Sequence, residues 1–305
     1  SLQHQLTSDL LLNLGYLGSH TSNRLETISL NDATPGPGDR QQRRLYPDLQ
    51  TVEMPFADAD AWFHGMQLQL EKRPDRLGLS ALVGFDWSRQ IDTGGGNQGP
   101  PSRRRFRSRN MPLTANRALS EFHVPRRLVL SEGYDLPFGT GRPFLSQGAI
   151  SRVLGGWSLR GIASLQDGSW FTVYLPGDTL DTGSYHSQWP DRVRDPNLPV
   201  AQRTPTRWFD TEAFRSPSKY QYGNAGRSSV EGPGVINLDV SLRRTFHFQD
   251  ARRLQLRLEA FNATNHPNFL LTGSSRTGEF GTSDFGALGQ AQPARQLQLA
   301  IKLYF

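Results

Sequence analysis

The chain of 305 residues has no cysteine, so disulfide staples, thiolate metal sites and thiol nucleophiles are excluded. No apolar run approaches the roughly 18 residues that a membrane-spanning helix needs; the nearest is Leu10-Leu11-Leu12-Asn13-Leu14. The mean hydropathy of −0.55 agrees. Neither absence excludes a membrane crossed by strands, because a transmembrane β-barrel alternates apolar and polar positions and averages like a soluble protein. The first residues, Ser1-Leu2-Gln3-His4-Gln5-Leu6, show no basic segment followed by an apolar stretch. This leaves a cytoplasmic protein, or a mature or truncated piece of an exported one. A net charge of +6 suits an anionic partner without naming it.

What is abundant is period-two patterning. Leu297, Leu299, Ile301, Leu303 and Phe305 share one face against Gln296, Gln298, Lys302 and Tyr304. Leu254, Leu256, Leu258 and Ala260 alternate with Arg253, Gln255, Arg257 and Glu259, and Ile236, Leu238, Val240 and Leu242 with Asn237, Asp239, Ser241 and Arg243. The same holds from Leu77 to Trp87 and from Trp62 to Leu70, and more weakly over Leu10–Gly18, Phe122–Phe138 and Trp157–Leu165. Each segment runs to about ten residues or more, enough for a tilted strand to cross a bilayer. No helix-period stretch competes with these segments.

Connections alternate in length. Thr7-Ser8-Asp9, Pro74-Asp75-Arg76 and Gln249-Asp250 read as tight reversals, and Gly139 to Gly156 as a medium one. Between them stand long stretches at about 19–60, 90–120, 175–232 and 265–292, beyond the usual loop of a compact domain. Short turns at one rim and long extracellular loops at the other are the pattern of an outer-membrane barrel. With the apolar faces outward, Tyr16, Trp62, Trp87 and Phe122 fall at the long-loop rim, and Tyr134, Trp157, Phe246 and Phe305 at the short-turn rim. From Phe122 to Tyr134 is about 40 Å along a strand and about 30 Å of height once tilted, a hydrocarbon thickness. Aromatic rings favour both membrane interfaces. A β-sandwich with an aromatic core is the competing fold, and it leaves the loop lengths unexplained.

The expected fold is therefore all-β, an antiparallel transmembrane β-barrel of about nine strands. Nine is odd, whereas complete bacterial barrels have an even count. The segment then reads as the C-terminal part of a larger barrel. Its first strand edge must be paired by upstream sequence or another chain, since unpaired backbone in lipid costs several kcal/mol per group.

The terminal Gln296-Leu297-Gln298-Leu299-Ala300-Ile301-Lys302-Leu303-Tyr304-Phe305 resembles the recognition signal for the outer-membrane assembly machinery. Leu297, Leu299, Ile301, Leu303 and Phe305 are its expected determinants. Leu17-Gly18-Ser19-His20, Leu70-Glu71-Lys72-Arg73, Phe85-Asp86-Trp87-Ser88-Arg89-Gln90-Ile91-Asp92 and Tyr134-Asp135-Leu136-Pro137-Phe138-Gly139 resemble barrel hairpins of TonB-dependent outer-membrane receptors of the Oar-like group. So do Leu154-Gly155-Gly156-Trp157, Gly223-Asn224-Ala225-Gly226-Arg227, Gly232-Pro233-Gly234 and Glu259-Ala260-Phe261-Asn262-Ala263-Thr264-Asn265-His266-Pro267-Asn268-Phe269. The resemblance runs along the whole chain in order. It implies a barrel of about 22 strands plugged by an N-terminal globular domain. In such receptors a carboxypeptidase-regulatory-like domain often precedes the plug, and the resemblance implies energy supplied by TonB through residues that lie outside this sequence.

Candidate sites follow. Arg103, Arg104, Arg105, Arg107 and Arg109 crowd one long loop and suit phosphates of outer-leaflet lipopolysaccharide or an anionic ligand, against a plain solvated loop. Nucleic acid is not expected, since no groove-reading element accompanies the run. Trp208, Phe209, Tyr220, Tyr222 and Arg227 form an aromatic docking surface for solute, or else pack the loop against itself, the better-supported alternative. Arg243, Arg257 and Glu259 face the lumen, either toward a plug and a solute path or as wall-stiffening ion pairs. No catalytic constellation is present: the seven histidines lack metal-ligand spacing, there is no Gly-x-Ser-x-Gly elbow, and Gly94-Gly95-Gly96-Asn97-Gln98-Gly99 lacks the lysine of a phosphate cradle. No cofactor and no metal are expected. The functional reading is TonB-energised uptake of a solute across the outer membrane, with the long loops outside and the C-terminus periplasmic. A passive pore and a structural or adhesive role are the alternatives.

Overall fold

The computed structural model describes residues 1–94, 107–184, 188–248, 252–271 and 277–305. Nine long strands build its main sheet: β1 (Leu2–Thr7), β2 (Leu10–Ser29), β3 (Glu53–Lys72), β4 (Leu79–Asp92), β5 (Arg126–Asp135), β6 (Trp157–Gln166), β7 (Val235–His247), β8 (Arg253–Phe261) and β9 (Gln296–Tyr304). Each pairs with its neighbours in sequence, all antiparallel, so the sheet is an open meander with β1 and β9 at its edges. Two short segments join it from a loop: Arg107–Ser108 runs parallel to β2, and Ala118–Leu119 antiparallel to β4.

The register sets the faces. Leu14, Leu68, Phe85, Leu128 and Leu165 lie in one row across β2 to β6, and Ile236 of β7 extends it. Leu159, Leu242, Leu258 and Leu299 form a second row across β6 to β9. The opposite face carries Asn13, Gln69, Gln67 and Asp86 on the early strands, then Arg160, Asp239, Arg243, Arg257 and Gln298 on the later ones. A one-residue slip would exchange these faces, which is why the register is strongly specified.

Among the described residues no second layer covers the leucine face of the last strands. Leu297, Leu299, Ile301 and Leu303 are 62–73% exposed, and Leu258 is 48% exposed. A two-layer fold would bury them, so the sandwich alternative is excluded. The hydrophobic core lies elsewhere, in the connections: Met111, Val173, Trp189, Phe209, Ala213, Phe214, Ala225 and Val230 form one buried cluster, with Phe171, Trp208, Tyr222, Phe280 and Phe285 packed against it.

Turns are short at one end of the sheet. Lys72 binds Asp9 at 2.5 Å and Asp75 at 3.2 Å, joining two adjacent reversals. Asp75 also accepts the Leu77 and Leu79 amides. The Gln249-Asp250 reversal lies outside the described residues. Its flanks, Phe248 and Arg252, are hydrogen bonded at 3.0 Å.

Three sequence expectations change. The strand expected over Phe122–Phe138 is shorter, Arg126–Asp135, which leaves Phe122 in a turn of the connection before it. The 139–156 connection contains a short helix, α1 (Gly148–Leu154), too brief for its period to show in sequence. The first long connection is 30–52 rather than 19–60, because β2 and β3 stay paired to Ser29 and Glu53 past irregularities at Thr21 and Arg24. At 20 residues each, about 66 Å along the strand, both outrun a bilayer. Outside lipid no apolar face is required, so the alternation fades there while the ladder continues. Among the described residues no helix is long and apolar enough to cross a membrane.

Candidate functional site

The long connections 30–52, 93–125, 167–234 and 262–295 gather at the end of the sheet opposite the short turns. Their described residues fold together into a cap. Phe209 is its centre, edge-on to Phe171, Phe214 and Phe285 at ring distances of 5.2–5.9 Å. The backbone interleaves as well: Trp208 donates to the Gly286 carbonyl and Leu288 to that of Pro205, tying the third connection to the fourth.

Ion pairs bind the cap to the strands. Arg107 reaches Glu26 of β2 at 2.8 Å and Asp58 of β3 at 2.6 Å, with its side chain 9% exposed. Arg227 bonds Asp92 of β4 at 2.7 Å and the Asn116 carbonyl at 2.9 Å, equally buried. Arg40 and Arg43 both engage Asp181, clasping the first connection to the third, and Ala33 donates to the Thr182 carbonyl alongside.

The Arg40 hydrogen bond, foremost, holds the Asp181 carboxyl below its ordinary value. A depressed acid contributes stability above the unfolded-state pKa and loses it as the pH falls through the folded one. The protection of amides over 30–44 and 178–183, taken as the exchange rate relative to the intrinsic rate at each pH, is therefore expected to stay constant from pH 7 to about 5 and to fall only below about 4. The clasp is partly exposed, so the loss is about 1 kcal/mol or less. Loosening already at pH 6 would show that other groups hold these connections together.

Between the second and third connections lies a cavity of about 390 Å³. Asn110, Met111, Trp189, Tyr222 and Asn224 line it. Gly223 sits in its wall where a Cβ would stand 2.1 Å from the Trp189 carbonyl, so the backbone approach there admits only glycine. Burial pushes the Tyr222 phenol up, keeping it neutral. Two aromatic residues and two amide side chains border it, a composition suited to an uncharged or sugar-like solute, although Asn110 donates to the Ala33 carbonyl and Asn224 accepts the Arg192 amide.

The residues singled out by sequence separate into different environments. Of the five aromatic and basic loop residues, Tyr222 alone is among those lining this cavity. Phe209 has no exposed surface and Arg227 is a buried clamp. Trp208 donates its indole N–H to the Glu231 carbonyl at 2.8 Å, and its ring lies beneath Arg203. Tyr220 takes a left-handed φ of +65° with Lys219 over its ring. Arg107, expected to contact phosphate, is neutralised by two carboxylates instead. Arg109 is half-buried and donates to the Asp32 carbonyl at 3.1 Å. Arg103, Arg104 and Arg105 lie outside the described residues.

On the polar face, Arg257 contacts Glu259 at 3.5 Å and Gln255 at 3.2 Å, and Arg243 donates to Ser158 at 3.1 Å. These are bonds along and across the wall. Arg243 and Arg257 stand directly opposite each other, concentrating positive charge there. Leu297, Leu299, Ile301 and Leu303 project from one face of the edge strand β9, and Phe305 beyond it is fully exposed. Asn110 and Met111 carry no local signal that would mark them as cavity residues. Among the described residues no group of three or more His, Asp or Glu side chains is placed to hold a metal.

A sheet whose apolar face is uncovered, with a folded cap at one end, calls for a lipid surround. Residues 1–298 match the family model described as an outer membrane beta barrel domain. The chain belongs to that family. The fold of this outer-membrane β-barrel chain is similar to that of the outer membrane transporter YddB from Escherichia coli. The TM-score is 0.53 at 10% identity, over 99% of this chain and 31% of that one. The barrel chain thus spans about a third of the transporter it matches. No curated protein matches it.

Proposed function

We propose that this chain is the C-terminal wall and cap of a TonB-energised outer-membrane importer, a non-enzymatic receptor whose long connections face outward and whose C-terminus is periplasmic. The observation that carries the reading is the cap itself. Its connections form a packed, ion-paired body over the end of the sheet, with a solute-sized cavity in it. A simple open pore has no use for such a body, whereas a receptor needs a rigid surface to bind scarce solute before passing it inward.

In this reading the open edges of the sheet are completed by further strands of a larger barrel, 22 in the receptors it resembles, since lipid tolerates no unpaired ladder. The cationic band at Arg243 and Arg257 faces the lumen and a plug. Outer membrane and lipopolysaccharide are the surroundings, and TonB acts through residues beyond this segment.

Growth of cells making the full-length protein tests this directly, with iron chelates, cobalamins, oligosaccharides and peptides each supplied at limiting concentration. At least one nutrient is expected to support growth only when the protein is present, and that dependence is expected to vanish in cells lacking TonB. Dependence that persists without TonB would instead establish a passive pore. No dependence on any nutrient would leave the structural or adhesive role.

A further inference from the structure

A second concavity lies on the apolar face of the sheet, toward the cap, with a volume of about 850 Å³. Its position follows from the register. Leu14 marks one row; Tyr16, Met66 and Trp87 the next toward the cap; His64 and Arg89 the one after that. Side chains two apart on a strand share a face, so these residues all project from the leucine side. Leu2 of the edge strand extends the lower row, opposite Leu14. The cleft is therefore graded: Leu2, Leu14 and Met66 below, the rings of Tyr16, Trp87 and Trp170 at the sides, and nitrogen-bearing groups above.

The upper groups are arranged unequally. His64 is held by Tyr16, whose hydroxyl lies 2.7 Å from its Nδ1. His123, in the connection after β4, accepts the Gln90 amide on Nδ1. Burial, then the neighbouring Arg89, depresses its pKa, so it stays neutral and presents one N–H. Arg89 is the formal charge of the cleft. It is exposed, and no carboxylate of the described residues stands within 4.0 Å of it. Arg126, next to it in the neighbouring strand, differs: it is spent on Asp167 at 2.7 Å. A cation without a counter-ion, raised about 13 Å along the strands above an apolar floor and flanked by interfacial aromatics, has the polarity of a lipid in reverse.

We infer that this cleft holds one phosphate-bearing acyl lipid of the leaflet on the cap side, its phosphate on Arg89 and His123 and an acyl chain along Leu14 and Met66. The inference needs the membrane family and the face assignment. It does not need uptake, so either proposal can fail without the other.

Native mass spectrometry of the full-length protein in phosphatidylcholine nanodiscs, with lipid A added at low mole fraction, reads the site. Wild type is expected to retain one lipid A per protein after release from the disc. Arg89→Gln should reduce retention about tenfold, the value of one charge-assisted hydrogen bond to phosphate. Arg89→Lys should keep most of it, and its normal heat-modifiable mobility would show that the position tolerates change. Arg244→Gln is the control: that cation shares the face but sits over the Trp157 and Phe246 rings at the short-turn end, and its loss should leave retention unchanged. Equal retention in wild type and Arg89→Gln overturns the inference. So does equal loss in Arg244→Gln, which would indicate general charge attraction. Displacement of lipid A by millimolar inorganic phosphate would make this a free-anion site and overturn it also.

Discussion

Leu299→Arg is expected to lower the unfolding free energy of the full-length protein in lipid vesicles by about 2–4 kcal/mol, whereas Gln298→Arg changes it by less than about 1 kcal/mol. The two residues are neighbours in β9 with opposite surroundings. Leu299 faces Leu258 across the ladder and is 73% exposed on the apolar side. A guanidinium there must enter hydrocarbon or drag headgroups and water toward itself. Gln298 faces Glu259 on the polar side, where an added arginine meets a carboxylate. Urea titration by intrinsic fluorescence measures both. Equal costs at the two sites would mean that the apolar face does not meet lipid.

The second large effect is expected at Arg107. Arg107→Met leaves Glu26, whose side chain is 4% exposed, and Asp58 without their shared cation. Stranding a buried carboxylate costs about 3–5 kcal/mol. The loss is expected where the ion pair acts, as faster amide exchange at Ile28, Ser29 and Ser108, the short parallel pairing that Arg107 anchors. Adding Glu26→Gln to Arg107→Met should recover much of the protection, because the uncompensated charge goes with it. Absence of that recovery would assign the effect to lost packing of the arginine stem.

The faces of the strands were legible because each alternates leucine, isoleucine or valine with polar residues, and period two is a local property that needs no partner. The pairing order was legible too, since short reversals such as Pro74-Asp75-Arg76 permit only neighbouring antiparallel strands. The cap was not. Glu26, Asp58 and Arg107 meet from three separate stretches of chain, and nothing beside Arg107 distinguishes it from Arg109. Phe209 and Tyr222 belong to one aromatic-rich loop, yet one ring is wholly buried and the other lines a cavity. Composition counts aromatic residues, and tertiary packing alone decides which of them reach solvent. The extension of β2 and β3 was likewise hidden, because beyond the bilayer a ladder is held by backbone hydrogen bonds that any side chain tolerates.

The core of the cap draws Met111, Phe209 and Phe285 from three connections that intervening strands hold apart in sequence. The third connection supplies most of this core and the other two complete it, and contacts so remote form late, after loop closure has been achieved by other means. The strands must then be threaded and zipped before the outer surface acquires its shape. An antibody raised against the finished cap would bind the completed protein and ignore stalled intermediates, turning a feature of packing into a visible marker of biogenesis.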